Sequence, residues 1–189
     1  MMSQSPLKFE NEGELMVQFQ NGNSLAFQEY YERKWQVLVN IAYAITGEED
    51  GTAKLVQNTM LVLWEHRDKL CLPTLFPNLL CAMKYEAIRY FKEKNNNIVK
   101  DDAIGILAQT ILEPSLINFD PDLKEFLKGW IKTETHLSSD IFISRFFKDL
   151  KASQIAVCLE LPLINVQDNM LKIYLRFAKY LEDLTFKTN

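Results

Sequence analysis

The chain has 189 residues, enough for one large domain or two small ones, and is 48% hydrophobic and 24% charged, a globular rather than a disordered composition. It contains only 6 Gly and 6 Pro. An all-β chain needs a turn every ~8–12 residues, so this scarcity predicts an all-α fold. With 21 basic against 25 acidic groups it lacks the basic surplus of a dedicated nucleic-acid binder; such a role needs local basic patches or a partner that supplies most of the affinity.

Residues 1–22 are polar with scattered apolar positions and predict a loose arm or a short helix. Asn23 or Ser24 is a suitable N-cap. Phe27, Tyr31, Trp35, Leu38, Ala42 and Ile45 then recur at helical spacing, up to Gly47. Glu48, Glu49 and Asp50 suit the positive end of a second helix, which carries Leu55, Val56, Thr59, Met60, Leu63 and Trp64 and runs to about Lys69. After Pro73, a third helix from Thr74 to about Lys94 shows Leu75, Leu79, Leu80, Met83, Ala87, Ile88 and Phe91 on one side. Asn95, Asn96 and Asn97 break that pattern.

Lys100–Pro121 reads as a linker, within which Ile104–Leu112 is apolar enough for a short docked helix. Asp120 and Pro121 read as an N-cap and first helical residue. Four helices fit the rest, near 121–136, 139–149, 151–159 and 164–184, with Ser138 or Ser139 capping the second. Two helical domains are therefore expected, 1–95 and 120–189, joined by a flexible linker at 96–119.

Cys71, Cys81 and Cys158 are too scattered, and His66 and His136 too isolated, to hold zinc. Three reduced, mostly buried thiols are expected. Ser, His and Asp form no usable cluster and no Gly-rich phosphate loop occurs, so the expectation is a non-enzyme with no metal and no cofactor. The N-terminus carries neither an apolar signal core nor an Arg-rich transit pattern, and no apolar run nears ~18 residues; this predicts a cytoplasmic protein without membrane insertion.

Three constellations stand out. In 151–184 a short helix with Ile155, Ala156 and Leu159, a turn at Glu160–Ile164 and a second run through Val166, Met170, Ile173, Leu175 and Phe177 describe a helix-turn-helix or an ordinary αα-corner. Lys84, Tyr85, Arg89, Tyr90, Phe91, Lys92 and Lys94 mix cations for phosphates with rings that stack on unpaired bases, although a solvated helix end has the same composition. Lys54, Gln57, Asn58, Glu65 and Arg67 form a polar stripe, which is usually just a wet face.

The order of these pieces resembles bacterial RNA polymerase sigma factors of the extracytoplasmic-function group. The segments 26-AFQEYYERKW-35 and 55-LVQNTMLVLWEHRD-68 are similar to the two helices of that family's second conserved region. The run 141-IFISRFFKDLKASQIAVCLEL-161 is similar to the approach to the helix-turn-helix of its fourth region. The resemblance implies that 1–95 binds core polymerase and the −10 element, and that 120–189 binds the −35 element.

By the same resemblance, core polymerase is met by Lys54, Leu55, Gln57, Asn58 and Leu61, single-stranded −10 DNA by Lys84, Tyr85, Arg89 and Lys92, and the −35 groove by Asn165, Gln167, Asn169, Lys172 and Arg176. Expected partners are therefore RNA polymerase core enzyme and promoter DNA, and the family admits an anti-sigma protein. Lys54 and Asn58 stand where the family has Asp and Glu, Asn78 where it has Trp, and Tyr85 where it has a base-holding Asn. A diverged sigma-like module that binds proteins without promoter activity is the alternative.

Overall fold

A computed structural model describes residue 9 and residues 11–70, 74–94 and 100–186. Every regular element among them is helical, as the composition predicts. The expected break at Asn95–Asn97, Pro73 and Cys71 lie outside the described residues. The chain divides into two compact units, one of Met1–Glu86 with Leu184–Asn189 and one of Ala87–Asp183.

The first unit opens with α1 (Glu12–Gln20), whose N-cap Asn11 accepts the Glu14 N–H at 2.8 Å. Asn23 then caps α2 (Ser24–Thr46) by accepting the Leu25 N–H at 2.9 Å. Gly47 ends α2 at φ +67°, a left-handed conformation that a residue without Cβ adopts freely. Glu49 and Asp50 occupy the first turn of α3 (Glu49–Glu65), where their charge suits the helix dipole. A 3₁₀ turn at Arg67–Lys69 follows, and α4 (Leu75–Lys94) begins in this unit.

Leu55, Val56, Thr59, Met60 and Leu63 turn one face of α3 into the core, where α3 packs on α2. On α2 the inward face matches the apolar reading at Leu38, Ala42 and Ile45 and differs from it in the first half of the helix. Tyr30, Lys34, Val37 and Ile41 are buried, while Trp35 is exposed and Phe27 and Tyr31 are half-buried. A pattern built from apolar residues alone passes over Lys34, whose ammonium lies 5.1 Å from the centre of the Phe76 ring, and Glu29, which pairs with Arg33. Phe27 instead packs edge-on against Trp64 at 5.0 Å.

In the second unit α4 continues from Ala87 and is followed by α5 (Lys100–Ile111), α6 (Pro114–Phe119) and α7 (Pro121–Ile131). The remaining helices are α8 (His136–Phe142), α9 (Ala152–Cys158) and α10 (Leu163–Asp183), with a π-type turn at Ile143–Phe147. The segment expected as a flexible linker thus forms two helices between Lys100 and Phe119, interrupted only at Leu112 and Glu113. The reason is tertiary. Ile104, Leu107, Ala108 and Ile111 are buried and α5 packs on α10.

Asp120 caps α7 by accepting the Leu123 N–H at 2.7 Å, with Pro121 at the first helical position. Thr135, rather than Ser138 or Ser139, caps α8, because its hydroxyl accepts the Ser138 N–H at 3.3 Å. Val166, Ile173, Phe177 and Leu181 form the buried stripe of α10. Each such side chain contributes ~1.5–3 kcal/mol on leaving water. Trp130 meets Phe142 and Phe177 edge-on at 5.7 and 5.0 Å, so α7, α8 and α10 share one aromatic centre.

Candidate functional site

Three surfaces carry the residues expected to act. On α3, Lys54, Gln57 and Leu61 are exposed and Asn58 is half-buried. Their spacing of three and four residues puts them on one helix face, opposite the side that packs on α2. Leu61, 45% exposed, is an apolar centre among polar neighbours. Leu55, expected in the same contact, is instead a core residue, because its position on the helix turns it inward with Val56 and Thr59.

On α4, Tyr85, Arg89 and Lys92 are exposed, and Arg89 lies 3.8 Å from Glu93. Lys84 does not join them. It is 2% exposed, its ammonium donates to the Leu184 carbonyl, and the charge sits 4.6 Å from the centre of the Tyr85 ring. The Cys81 thiol donates to the same carbonyl at 3.5 Å. Phe186 stacks on His66 at 4.7 Å and on Tyr85 at 6.0 Å. This cluster of Cys81, Lys84, Leu184 and Phe186 has no counterpart in the sequence reading, since its halves lie about a hundred residues apart.

The third surface is built by α9, the connection Leu159–Pro162 and α10. At its start, the Gln154 side chain accepts the Lys151 N–H at 2.8 Å. At the end of α9, Leu161 N–H donates to the Ala156 carbonyl at 2.9 Å and Glu160 N–H to the Val157 carbonyl at 3.3 Å. Those two bonds are the Schellman pattern, and Glu160 adopts the φ of +53° that the pattern demands. Ile155, Ala156 and Val166 are buried where the two helices meet.

Asn165, Gln167 and Lys172 point outward from α10, while Asn169 is half-buried and donates to the Asn165 carbonyl at 2.9 Å. Lys172 pairs with Asp168 at 2.6 Å. Arg176, expected on DNA, is held inside the unit instead. Its Nε lies 2.7 Å from Glu134 and a terminal nitrogen donates to Ser138 Oγ at 3.0 Å.

The same outer side of α10 exposes Ile164, Leu171 and Leu175, and α9 exposes Val157. These positions repeat at seven and four residues, opposite the buried Val166–Ile173–Phe177 stripe. The signal was present in the sequence as apolar residues on both faces of one helix. Of the thiols expected to be mostly buried, Cys81 is buried, Cys158 is exposed and Cys71 lies outside the described residues.

No group of His, Cys, Asp and Glu among the described residues is placed to hold a metal ion. No described helix is long and apolar enough to cross a membrane. No family model, no curated protein and no solved structure matches this chain.

Proposed function

We propose that this protein is a sigma factor of the extracytoplasmic-function type, which directs RNA polymerase to specific promoters and works in the cytoplasm without catalytic chemistry of its own. The observation that carries the reading is the outward face of α3. Lys54, Gln57, Asn58 and Leu61 lie side by side on the segment that resembles the family's polymerase-binding helix. An apolar side chain ringed by polar ones is the usual composition of a small docking surface.

On this reading the chain works as two helical domains, and α9 and α10 are the helix-turn-helix of the second. Ala156 gives the close crossing, Glu160 makes the turn and Val166 anchors the second helix from within. Asn165 and Gln167 then reach base edges and Lys172 reaches phosphate. Tyr85, Arg89 and Lys92 meet unpaired −10 bases. Residues 120–189 hold 10 basic and 10 acidic groups, so polymerase must supply much of the DNA affinity.

Transcription run off genomic DNA by core polymerase, with and without this protein, tests the reading. New start sites that depend on the protein support it. Absence of both capture of core polymerase and dependent transcripts overturns it.

Ile164, Leu171 and Leu175 favour a second reading, because a helix face that meets DNA has little use for three exposed aliphatic side chains. A sigma-like module that binds a protein through α10 would capture its partner and yield no dependent transcript.

A further inference from the structure

We propose that Leu184–Phe186 is an intramolecular cap on the α4 surface formed by Cys81, Lys84 and Tyr85, and that single-stranded DNA reaches Lys84 only after the cap lifts. The inference rests on the reading of α4 as a DNA-contacting helix and adds a control to that same surface.

The contacts are those of a latch. The chain leaves α10 at Asp183, and the next residues lay one carbonyl and one ring on the first unit. The Leu184 carbonyl accepts from both the Lys84 ammonium and the Cys81 thiol. Phe186, buried, fills the space between His66 and Tyr85 with rings nearly parallel to both, at 18° and 22°. A buried ammonium needs acceptors, and here one of them is a backbone carbonyl from the cap. A phosphate oxygen is a stronger acceptor for the same ammonium, because it carries charge. An unpaired base likewise offers Tyr85 the stacking that Phe186 now supplies. Cap and nucleic acid are thus competitors for one cation and one ring, and the tail mimics its ligand group by group.

The cap is three residues that follow α10, a short segment outside any helix, and such a segment opens without global unfolding. Lifting it uncovers Cys81, which gives a direct readout. In the whole chain carrying Cys71→Ser and Cys158→Ser, Cys81 is the sole thiol.

Alkylation of that thiol should be slow with the native tail and about tenfold or more faster in Phe186→Ala and in a chain ended after Asp183. With the native tail, the labelling rate should depend only weakly on urea, because a local opening exposes little surface. A steep dependence at every urea concentration, or equal rates in all three chains, means that Cys81 is reached only by global unfolding and overturns the cap. Either result leaves the proposed function standing.

The second arm measures binding of a fluorescein-labelled, A/T-rich single-stranded oligonucleotide in the presence of core polymerase. Phe186→Ala should bind more tightly and with a steeper salt dependence, by about 0.7 in the slope of log K against log salt for one phosphate. Adding Lys84→Gln should return both to the starting values. Faster alkylation with unchanged oligonucleotide binding shows that the cap guards no DNA site and overturns the proposal. Capture of core polymerase by the same variants then separates the two failures: retained capture preserves the polymerase reading, and lost capture takes it down as well.

Discussion

Arg176 on α10 lies 2.7 Å from Glu134, in the connection between α7 and α8, and this pair fixes a cation that the family resemblance assigns to DNA. The same guanidinium donates to Ser138 Oγ, so two of its nitrogens are committed inside the unit. Glu134 is nearly buried while Arg176 is partly exposed, so the interaction is worth less than a fully desolvated pair. Arg176→Ala is expected to cost about 1 kcal/mol in urea unfolding. Lys172→Ala, which loses only an exposed pair to Asp168, should cost under ~0.5 kcal/mol. If α10 reads promoters as proposed, the order reverses there. Lys172→Ala should lower the salt dependence of holoenzyme binding and Arg176→Ala should not.

Glu160 sets a second expectation. Its φ of +53° carries the steric cost of Cβ against the carbonyl, which Gly escapes. Glu160→Gly should raise stability by ~0.5–1 kcal/mol, the Schellman bonds from Leu161 and Glu160 being backbone bonds that survive the change. A thermal melt of the two chains checks it, and a lower midpoint for the glycine chain would show that the turn relaxes out of this conformation.

What was legible in the sequence follows from the range of the forces. Caps at Asn23, Gly47 and Asp120-Pro121 depend on atoms a few residues away, and the structure has them where the sequence puts them. The apolar faces of α3 and α4 were readable for the same reason. Lys34 and Lys84 were not, because a buried lysine is accommodated by a ring or carbonyl brought in by the fold: Phe76 for the one and Leu184 for the other. Residues 100–119 read as a linker because Gly105, Pro114 and the adjacent Asp101 and Asp102 are ordinary loop chemistry. Their helices exist because α10 supplies a distant apolar face for α5, while α6 packs on α7 and on the turn at Ile143–Phe147.

Glu182 gives an acid-side expectation. Hydrogen bonds from Lys100 and Lys179 hold its carboxyl down to about 2 from the ordinary 4.5. Because the folded value is depressed, the stabilisation is complete above pH 4.5 and is lost as pH falls towards 2. Glu182→Gln should therefore lower the urea midpoint near neutrality and flatten its fall across that window. The carboxylate is solvent-screened, so high salt should shrink the difference between the two chains. Parallel profiles in low salt would mean that the two lysines do not hold Glu182 in solution.

Leu55 and Leu61 separate folding from docking on one helix. Leu55 is enclosed between α2 and α3, and Leu55→Ala should cost ~2–5 kcal/mol through the cavity it leaves. Leu61 faces outward, and Leu61→Ala should change stability by less than ~0.5 kcal/mol. If α3 docks on polymerase, the mild substitution should nonetheless weaken capture of core enzyme several-fold, since a central apolar side chain carries more of a small interface than its polar rim. Lys54→Asp should act in the opposite direction, restoring the carboxylate that the resembling family presents at that position. Both variants are read in one titration against core polymerase, with unfolding curves as the control for stability. Capture that ignores Leu61→Ala and Lys54→Asp alike would mean that this face of α3 is solvent-exposed surface and that polymerase, if bound, is bound elsewhere.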